Sequence, residues 1–374
     1  MPHQPRLLDG KPGTAVTARV DWWVINDAAS ADVVAHVGGK SLKYPEKVKI
    51  FIDHDTPCGS VAVAAKQKAL IDFAGENGCE LFNGHGISHQ IMLDRFVKQG
   101  HVVAGTFSHR AMYGAVGALG ISLSPEALAE SLCGGDAAFT IPETVRIHLE
   151  GVLALPASAK DLALSLRARP EYGINDARVV FSGPGATAMS TSRRTTLCQM
   201  LDAAFADFDD TCASPDFTVD LAAILPVVAG PDSPERLNPA SAYSGKAVNE
   251  VFIGGCSGGR IEDLRQAASI LAGRRVPARV RLMVAPATTE VYRQAADEGL
   301  LAVFLDSGAI LMNQGCSVCW GASQGIVDDG EVLLSTGSRN HKGCAGADTA
   351  EVYLCSPAVA AHSALAGTIQ EGGR

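Results

Sequence analysis

From Ala18 onward, short apolar runs alternate with stretches of helical spacing. Residues 47–52 (Lys-Val-Lys-Ile-Phe-Ile) read as a strand closed by Asp53-His54-Asp55, and residues 61–77, rich in Ala, Lys and Gln, as a helix. Ile141-Pro142-Glu143 reads as a linker into an alternating strand over residues 144–149, which places a change of domain there. Residues 226–246 hold four prolines together with Asn, Ser and Gly and read as a second linker. Beyond it the pattern predicts strands over 251–253, 279–284 and 301–305, with helices over 260–272 and 289–298. Repeated strand–helix units imply a parallel sheet with its site at the carboxyl ends of the strands. Residues 1–17 read as a flexible lead-in.

Length and composition narrow the picture. A chain of 374 residues fits two or three domains, and 47% hydrophobic against 19% charged residues supplies a large core. The net charge of −9 argues against non-specific nucleic-acid binding. The N-terminus lacks the apolar segment of a secretory signal and no run is long enough to cross a bilayer, so a soluble, cytoplasmic protein is expected. Ten cysteines in a chain of this length do not make a disulfide scaffold. In a reducing compartment, close-spaced thiols are more often metal ligands or redox groups.

Three cysteines occupy predicted strand ends. Cys256 lies in Gly254-Gly255-Cys256-Ser257-Gly258-Gly259-Arg260, between a strand and a helix, and Cys316 and Cys319 form a C-x-x-C turn in Gly315-Cys316-Ser317-Val318-Cys319-Trp320-Gly321. Three thiolates converging on a cubane cluster would leave one iron open as a Lewis acid. The same spacing equally reads as half of a zinc site, which Cys344 and Cys355 could complete, or as inert buried thiols.

Phe252-Ile253-Gly254-Gly255-Cys256-Ser257-Gly258-Gly259-Arg260-Ile261-Glu262-Asp263-Leu264 resembles the FIGSCTNGRIEDL signature of isopropylmalate-isomerase large subunits in the aconitase superfamily. GCSVCWG at 315–321 resembles GCSMCLG, residues 335–340 resemble STSNRN, and residues 356–361 resemble SPAMAA. Upstream, Asp53-His54, the run from Gly86 to Gln90, Ser108-His109 with residues 114–118, Ile141-Pro142-Glu143-Thr144 and Ala159-Lys160-Asp161 resemble family motifs in family order. The resemblance implies three α/β/α domains with mostly parallel sheets around a central cluster cleft, divided at residues 18–143, 144–245 and 246–374. It implies a [4Fe–4S] cluster on Cys256, Cys316 and Cys319. It implies catalytic roles for Asp53, His54, His89, Ser108 and His109, with Arg339, Ser338 and Arg260 on the substrate. An imidazole beside a carboxylate suits acid–base work at a hydroxyl, and a guanidinium binds carboxylate through paired hydrogen bonds. The implied activity is a hydro-lyase of the 3-isopropylmalate dehydratase type, in leucine biosynthesis.

Departures from the family pattern bear on the substrate. Phe107 and Val180 stand where the family has carboxylates, Gly258 and Ser338 where it has asparagines, and Cys344 where it has a second arginine. A less charged hydroxy acid, such as a malate with an apolar substituent, fits these changes. A non-catalytic iron- or redox-sensing relative and a zinc-stabilised binding protein are the alternatives. In the resembling family the base opposite the iron is a serine on a separate small subunit. No such signature follows residue 361, so a heterodimer with a small swivel-domain subunit is expected. Ser190 and Ser192, beside Arg193 and Arg194, look superficially similar but sit where a helix should start, so capping is the expected role.

Overall fold

The computed structural model describes residues 7–210, 214–321 and 324–372. Residues 1–6 of the expected lead-in lie outside the described residues.

The first parallel sheet is built from short apolar runs. Val48–Ile52 is buried at all five positions, as a strand covered on both faces must be. Its spatial order is Glu80–Asn83, Val48–Ile52, Trp22–Asn26, Val102–Gly105, Leu119–Ser122, all parallel. The chain starts at Trp22–Asn26, winds outward to one side, then returns to the other. That reversal opens a crevice at the carboxyl end of Trp22–Asn26. The helix Val61–Asn77 lies between two of these strands, capped by the Ser60 hydroxyl and closed by left-handed Gly78.

A second, four-stranded parallel sheet runs Phe205–Phe208, Arg178–Ser182, Thr144–Glu150, Phe217–Asp220. The third sheet has seven strands, in the order Leu237–Pro239, Val227–Ala229, Glu351–Cys355, Val332–Ser335, Glu250–Gly254, Arg281–Ala285, Ile310–Leu311. Its last five are parallel and repeat the winding of the first sheet, starting at Glu250–Gly254 and returning at Val332–Ser335. The fold is therefore α/β with mostly parallel sheets, as expected. Ser190 caps Thr191–Met200 by accepting from the Arg193 amide, the role its position predicted.

Three local expectations differ from the structure. Residues 301–305 are not a strand but lie in the helix Leu300–Asp306, launched from Gly299 in the left-handed region (φ 73°), and the next strand is Ile310–Leu311. A five-residue apolar run carries no period that separates strand from helix. The proline-rich stretch 226–246 is more than a linker. Val227–Ala229 pairs antiparallel with Glu351–Cys355, and Leu237–Pro239 extends the sheet as its edge strand, where a proline removes no ladder bond that is needed. In the lead-in, Leu8 packs in the first core and Ala15–Arg19 pairs with Asp136–Thr140.

The first and second sheets meet where the turn Arg110–Val116 lies against Phe205–Phe208. A Cβ at Gly114 would run into the carbonyl oxygen of Ala206, so the two segments pack backbone to backbone. We expect Gly114→Ala to destabilise the protein by about 1–3 kcal/mol in urea unfolding, as overpacking does. Gly134→Ala, with nothing within 4 Å of the added carbon, should be nearly neutral; equal effects would contradict the close contact.

Candidate functional site

Functional side chains gather where strands end. Asp27 follows Trp22–Asn26, Asp53 and His54 follow Val48–Ile52, and Ser108 and His109 follow Val102–Gly105. From the third sheet, Cys256 follows Glu250–Gly254, Cys316 and Cys319 follow Ile310–Leu311, and Ser338 and Arg339 follow Val332–Ser335. The two sheets are tied beside these loops: the Ile87 amide donates to the Ala287 carbonyl at 2.9 Å, and Gln90 Nε2 donates to the Cys256 carbonyl at 2.6 Å. One cavity of about 150 Å³ results, lined by His54, His89, Phe107, Ser108, His109, the three cysteines, Trp320, Ser338 and Arg339, among others.

His54 is clamped on one side. Its Nδ1 donates to Asp27 Oδ1 at 2.8 Å and lies 2.8 Å from Asp53 Oδ1 as an ion pair. Burial alone would lower the imidazole pKa, but the charge of Asp53 and the contacts with both carboxylates outweigh it and push His54 up to about 10. Burial would raise Asp53, yet the charge of His54 and the Ser88 amide, 2.7 Å from Oδ2, hold it below the usual carboxylate range. Asp27 also accepts the His54 backbone amide at 3.2 Å, so one carboxylate orients both the ring and its loop. The ring edge packs on Trp320, centroids 4.4 Å apart. With Nδ1 committed, Nε2 is the ring nitrogen left for the cavity.

The opposite lining is neutral and soft. Burial holds His89 at about 4 and His109 well below its ordinary value, so both rings are uncharged near neutrality. Their centroids are 5.5 Å apart, and neither His89 ring nitrogen has a hydrogen-bond partner among the described residues. Burial raises the Cys256 thiol to about 11 and Cys316 well above the usual thiol value. Ser338 Oγ lies 3.9 Å from Cys256 Sγ and 3.8 Å from Cys319 Sγ. Arg339 Nη2 donates to Ser108 Oγ at 3.1 Å, which fixes the guanidinium at the cavity.

The structure thus brings His54, His89, Ser108, His109, Ser338, Arg339 and the three cysteines to one cavity, with Asp53 directly behind His54. Arg260 is buried but does not line that cavity, and its Nε and Nη2 have no hydrogen-bond partner among the described residues. Among the described residues, Cys344 and Cys355 belong to no set of converging donor atoms: Cys344 packs in the apolar cluster beside Cys319, and Cys355 in a different one. Of the residues that departed from the family pattern, Phe107 and Ser338 line the cavity, while Val180, Gly258 and Cys344 do not. Sequence reasoning missed Asp27. The available signal was an acidic residue closing the apolar run Trp22-Trp23-Val24-Ile25 at a strand end.

Thiols, imidazoles and a guanidinium set at the switch points of two parallel sheets define an α/β enzyme site. Residues 47–206 and 202–367 match the Aconitase family (aconitate hydratase), and the chain belongs to that family of hydro-lyases. It is 34% identical over 398 residues to the 3-isopropylmalate dehydratase large subunit 2 of Archaeoglobus fulgidus, covering 97% of this chain and 95% of that one. It is 36% identical over 399 residues to the homoaconitase large subunit of Thermus thermophilus, with the same coverage. At the level of fold it resembles the crystal structure of Thermococcus kodakaraensis aconitase X (holo-form), with TM-score 0.58 and 11% identity over 87% of this chain and 85% of that one.

The clamp has a pH signature. A histidine whose pKa is raised on folding contributes stability that is full below its unfolded value and lost as pH rises through the folded value. We expect Asp27→Asn to lower the His54 pKa from about 10 toward the ordinary range, read by NMR titration of the ring. The stability gap between wild type and variant should be largest near neutrality and narrow as pH rises through about 10. An unchanged His54 titration would refute the clamp.

Proposed function

We propose that this chain is the large subunit of a hydro-lyase that moves water on a hydroxy carboxylate, with Cys256, Cys316 and Cys319 holding a [4Fe–4S] cluster. The observation that carries the reading is the single cavity lined by three thiols, a carboxylate-clamped imidazole and an anchored arginine. The donor set fits the cluster. Among the described residues, the sets whose donor atoms all lie within 4.8 Å of one another are His89–His109–Cys256 and Asp27–Asp53–His54; the three cysteines together are not such a set. At least one pair of these sulfurs is therefore more than 4.8 Å apart although all three line one cavity, a spacing that suits a polynuclear group better than a mononuclear ion. Small residues make room beside them: a Cβ at Gly337 would lie 3.1 Å from Cys319 Sγ.

When bound, the cluster supplies a Lewis-acidic iron for substrate hydroxyl and carboxylate oxygens. The chain's own residues do the rest. Arg339, oriented by Ser108, takes a substrate carboxylate. His54 is cationic near neutrality because two carboxylates keep it so, and its Nε2 can give a proton to the departing hydroxyl. Asp53 and Asp27 fix the ring and offset its charge. Neutral His89 and His109 line the pocket without adding positive charge to it. Phe107 gives the cavity an apolar corner, which favours a malate with an apolar substituent, as in the dehydratase relatives, over a more highly charged acid.

The base on the other face comes from a small subunit in this reading. The relatives named large subunits support it, and Ser190, one of the two serines of the superficially similar run, caps a helix. We expect the anaerobically loaded chain to turn over substrate only after the small subunit is added; full activity alone would overturn that point.

Cys256→Ser should leave the protein folded and lower its iron and sulfide content, with the loss of activity following the loss of cluster. Unchanged iron and activity would exclude the ligand role. Arg339→Lys keeps the charge but loses the paired hydrogen bonds. Since such a pair contributes about 1.5–3 kcal/mol, kcat/KM should fall on the order of 10- to 150-fold.

A further inference from the structure

Lys160 is a fully buried lysine that the mechanism above does not use. It is the second residue of the helix Ala159–Arg167 and is 1% exposed. Its ammonium donates to the backbone carbonyls of Thr336 and Gly337 and reaches Ser257 Oγ at 3.3 Å. None of those acceptors carries a full charge. A buried ammonium is costly without a counter-ion, because neutral dipoles replace only part of its hydration. The acidic groups that act on it are the thiols of Cys355, Cys319 and Cys256, followed by Asp263. Asp263 is occupied in capping, since it accepts the Arg260 amide at 3.1 Å.

Its acceptors are placed informatively. Ser257 follows Cys256 directly, and Gly337 packs against Cys319 Sγ. The Ser257 hydroxyl also donates to the Thr336 carbonyl at 2.9 Å, and the Gly254 amide donates to Thr336 Oγ1 at 2.9 Å. The ammonium therefore sits where the Cys256 loop and the 336–337 loop cross, and holds both. Protonated thiols give it no charge partner. Two of the same sulfurs, ionised as ligands, would supply one.

We propose that Lys160 is the fixed counter-charge of the iron–sulfur group: its ammonium, anchored to the two loops beside Cys256 and Cys319, offsets the negative charge of the thiolate-held cluster. This rests on the cluster assignment above. A cation at that place favours the more negative, reduced state of the cluster and disfavours oxidative loss. It also explains why a residue of the second domain reaches the site without touching substrate. Lys160 is a positioning residue.

The test uses the full chain, loaded anaerobically with iron and sulfide, as wild type, Lys160→Gln and Lys160→Arg. Glutamine keeps hydrogen-bond donors for the two carbonyls and removes the charge, while arginine keeps the charge. The readouts are the midpoint potential of the cluster by EPR-monitored titration, cluster retention in air, and thermal melting. We expect K160Q to shift the potential downward and to lose its cluster on the order of 10-fold faster, with K160R close to wild type. Folded K160Q with wild-type potential and retention would overturn the proposal and leave Lys160 as a tie between loops. Should K160Q fail to fold, wild type labelled with ¹⁵N-lysine decides. The exchange-protected ammonium signal should shift or broaden when the cluster is brought to its paramagnetic state, and an unmoved signal would count against the proposal. Wild type that binds no iron or sulfide would instead sink the cluster assignment itself.

Discussion

Asp53 is 1% exposed, and a carboxylate at that depth cannot stay ionised unless a cation lies against it. His54 is that cation, and it is held in place by Asp27 from the neighbouring strand. The clamp sets the rest of the first sheet's contribution. It needs two adjacent strand ends, hence the placement of Trp22–Asn26 beside Val48–Ile52. It needs the amide of Ser88, hence a helix starting close to that point. The consequence is an imidazole presented with one nitrogen fixed and its protonation decided by the protein rather than by solvent.

The third sheet answers with the same topology and different chemistry. Glu250–Gly254 is its first-laid parallel strand, as Trp22–Asn26 is in the first sheet, and each leaves a crevice at its carboxyl end. One crevice offers carboxylates and imidazole, the other thiols. Their joining depends on close backbone approach. Gly86 has φ 107°, and a side chain there would collide with the Ala287–Thr288 backbone, so the strap between the sheets closes only around glycine.

Much of this was legible from residues. The strand closed by Asp53-His54, the helix over 61–77 and the βα units carrying Cys256 follow directly from periodicity and turn chemistry. The illegible parts have physical causes. Leu300–Asp306 is apolar, short and bounded by glycines, so nothing local distinguishes its period. Val227–Ala229 joins the third sheet through Glu351–Cys355, a strand more than a hundred residues later in the chain, a non-local pairing that a proline-rich composition hides. Asp27 was missed because its role exists only once a neighbouring strand brings His54 to it. Gly258 and Ser338 make sense only in three dimensions: a Cβ at Gly258 would strike Thr336, and Ser338 spans two thiols.

The two halves of the cavity pose opposite charge problems. On the His54 side, two buried acids are balanced by one imidazolium, which leaves a net negative surrounding and keeps the proton on the ring. On the sulfur side, burial opposes ionisation of Cys256 and Cys316, so thiolates form there only if cations offset them. Among the protein's own cations near that side are Arg339 at the cavity and Lys160 behind the loops, each anchored by groups that carry no full charge, and the buried Arg260 just beyond Cys256. Cations left without full partners on the thiol side, facing a carboxylate-rich imidazole, describe a site whose charge is completed by what it binds. The proposed anionic cluster and an anionic substrate would together meet that requirement, whereas a neutral ligand would leave the buried Lys160 charge unpaired.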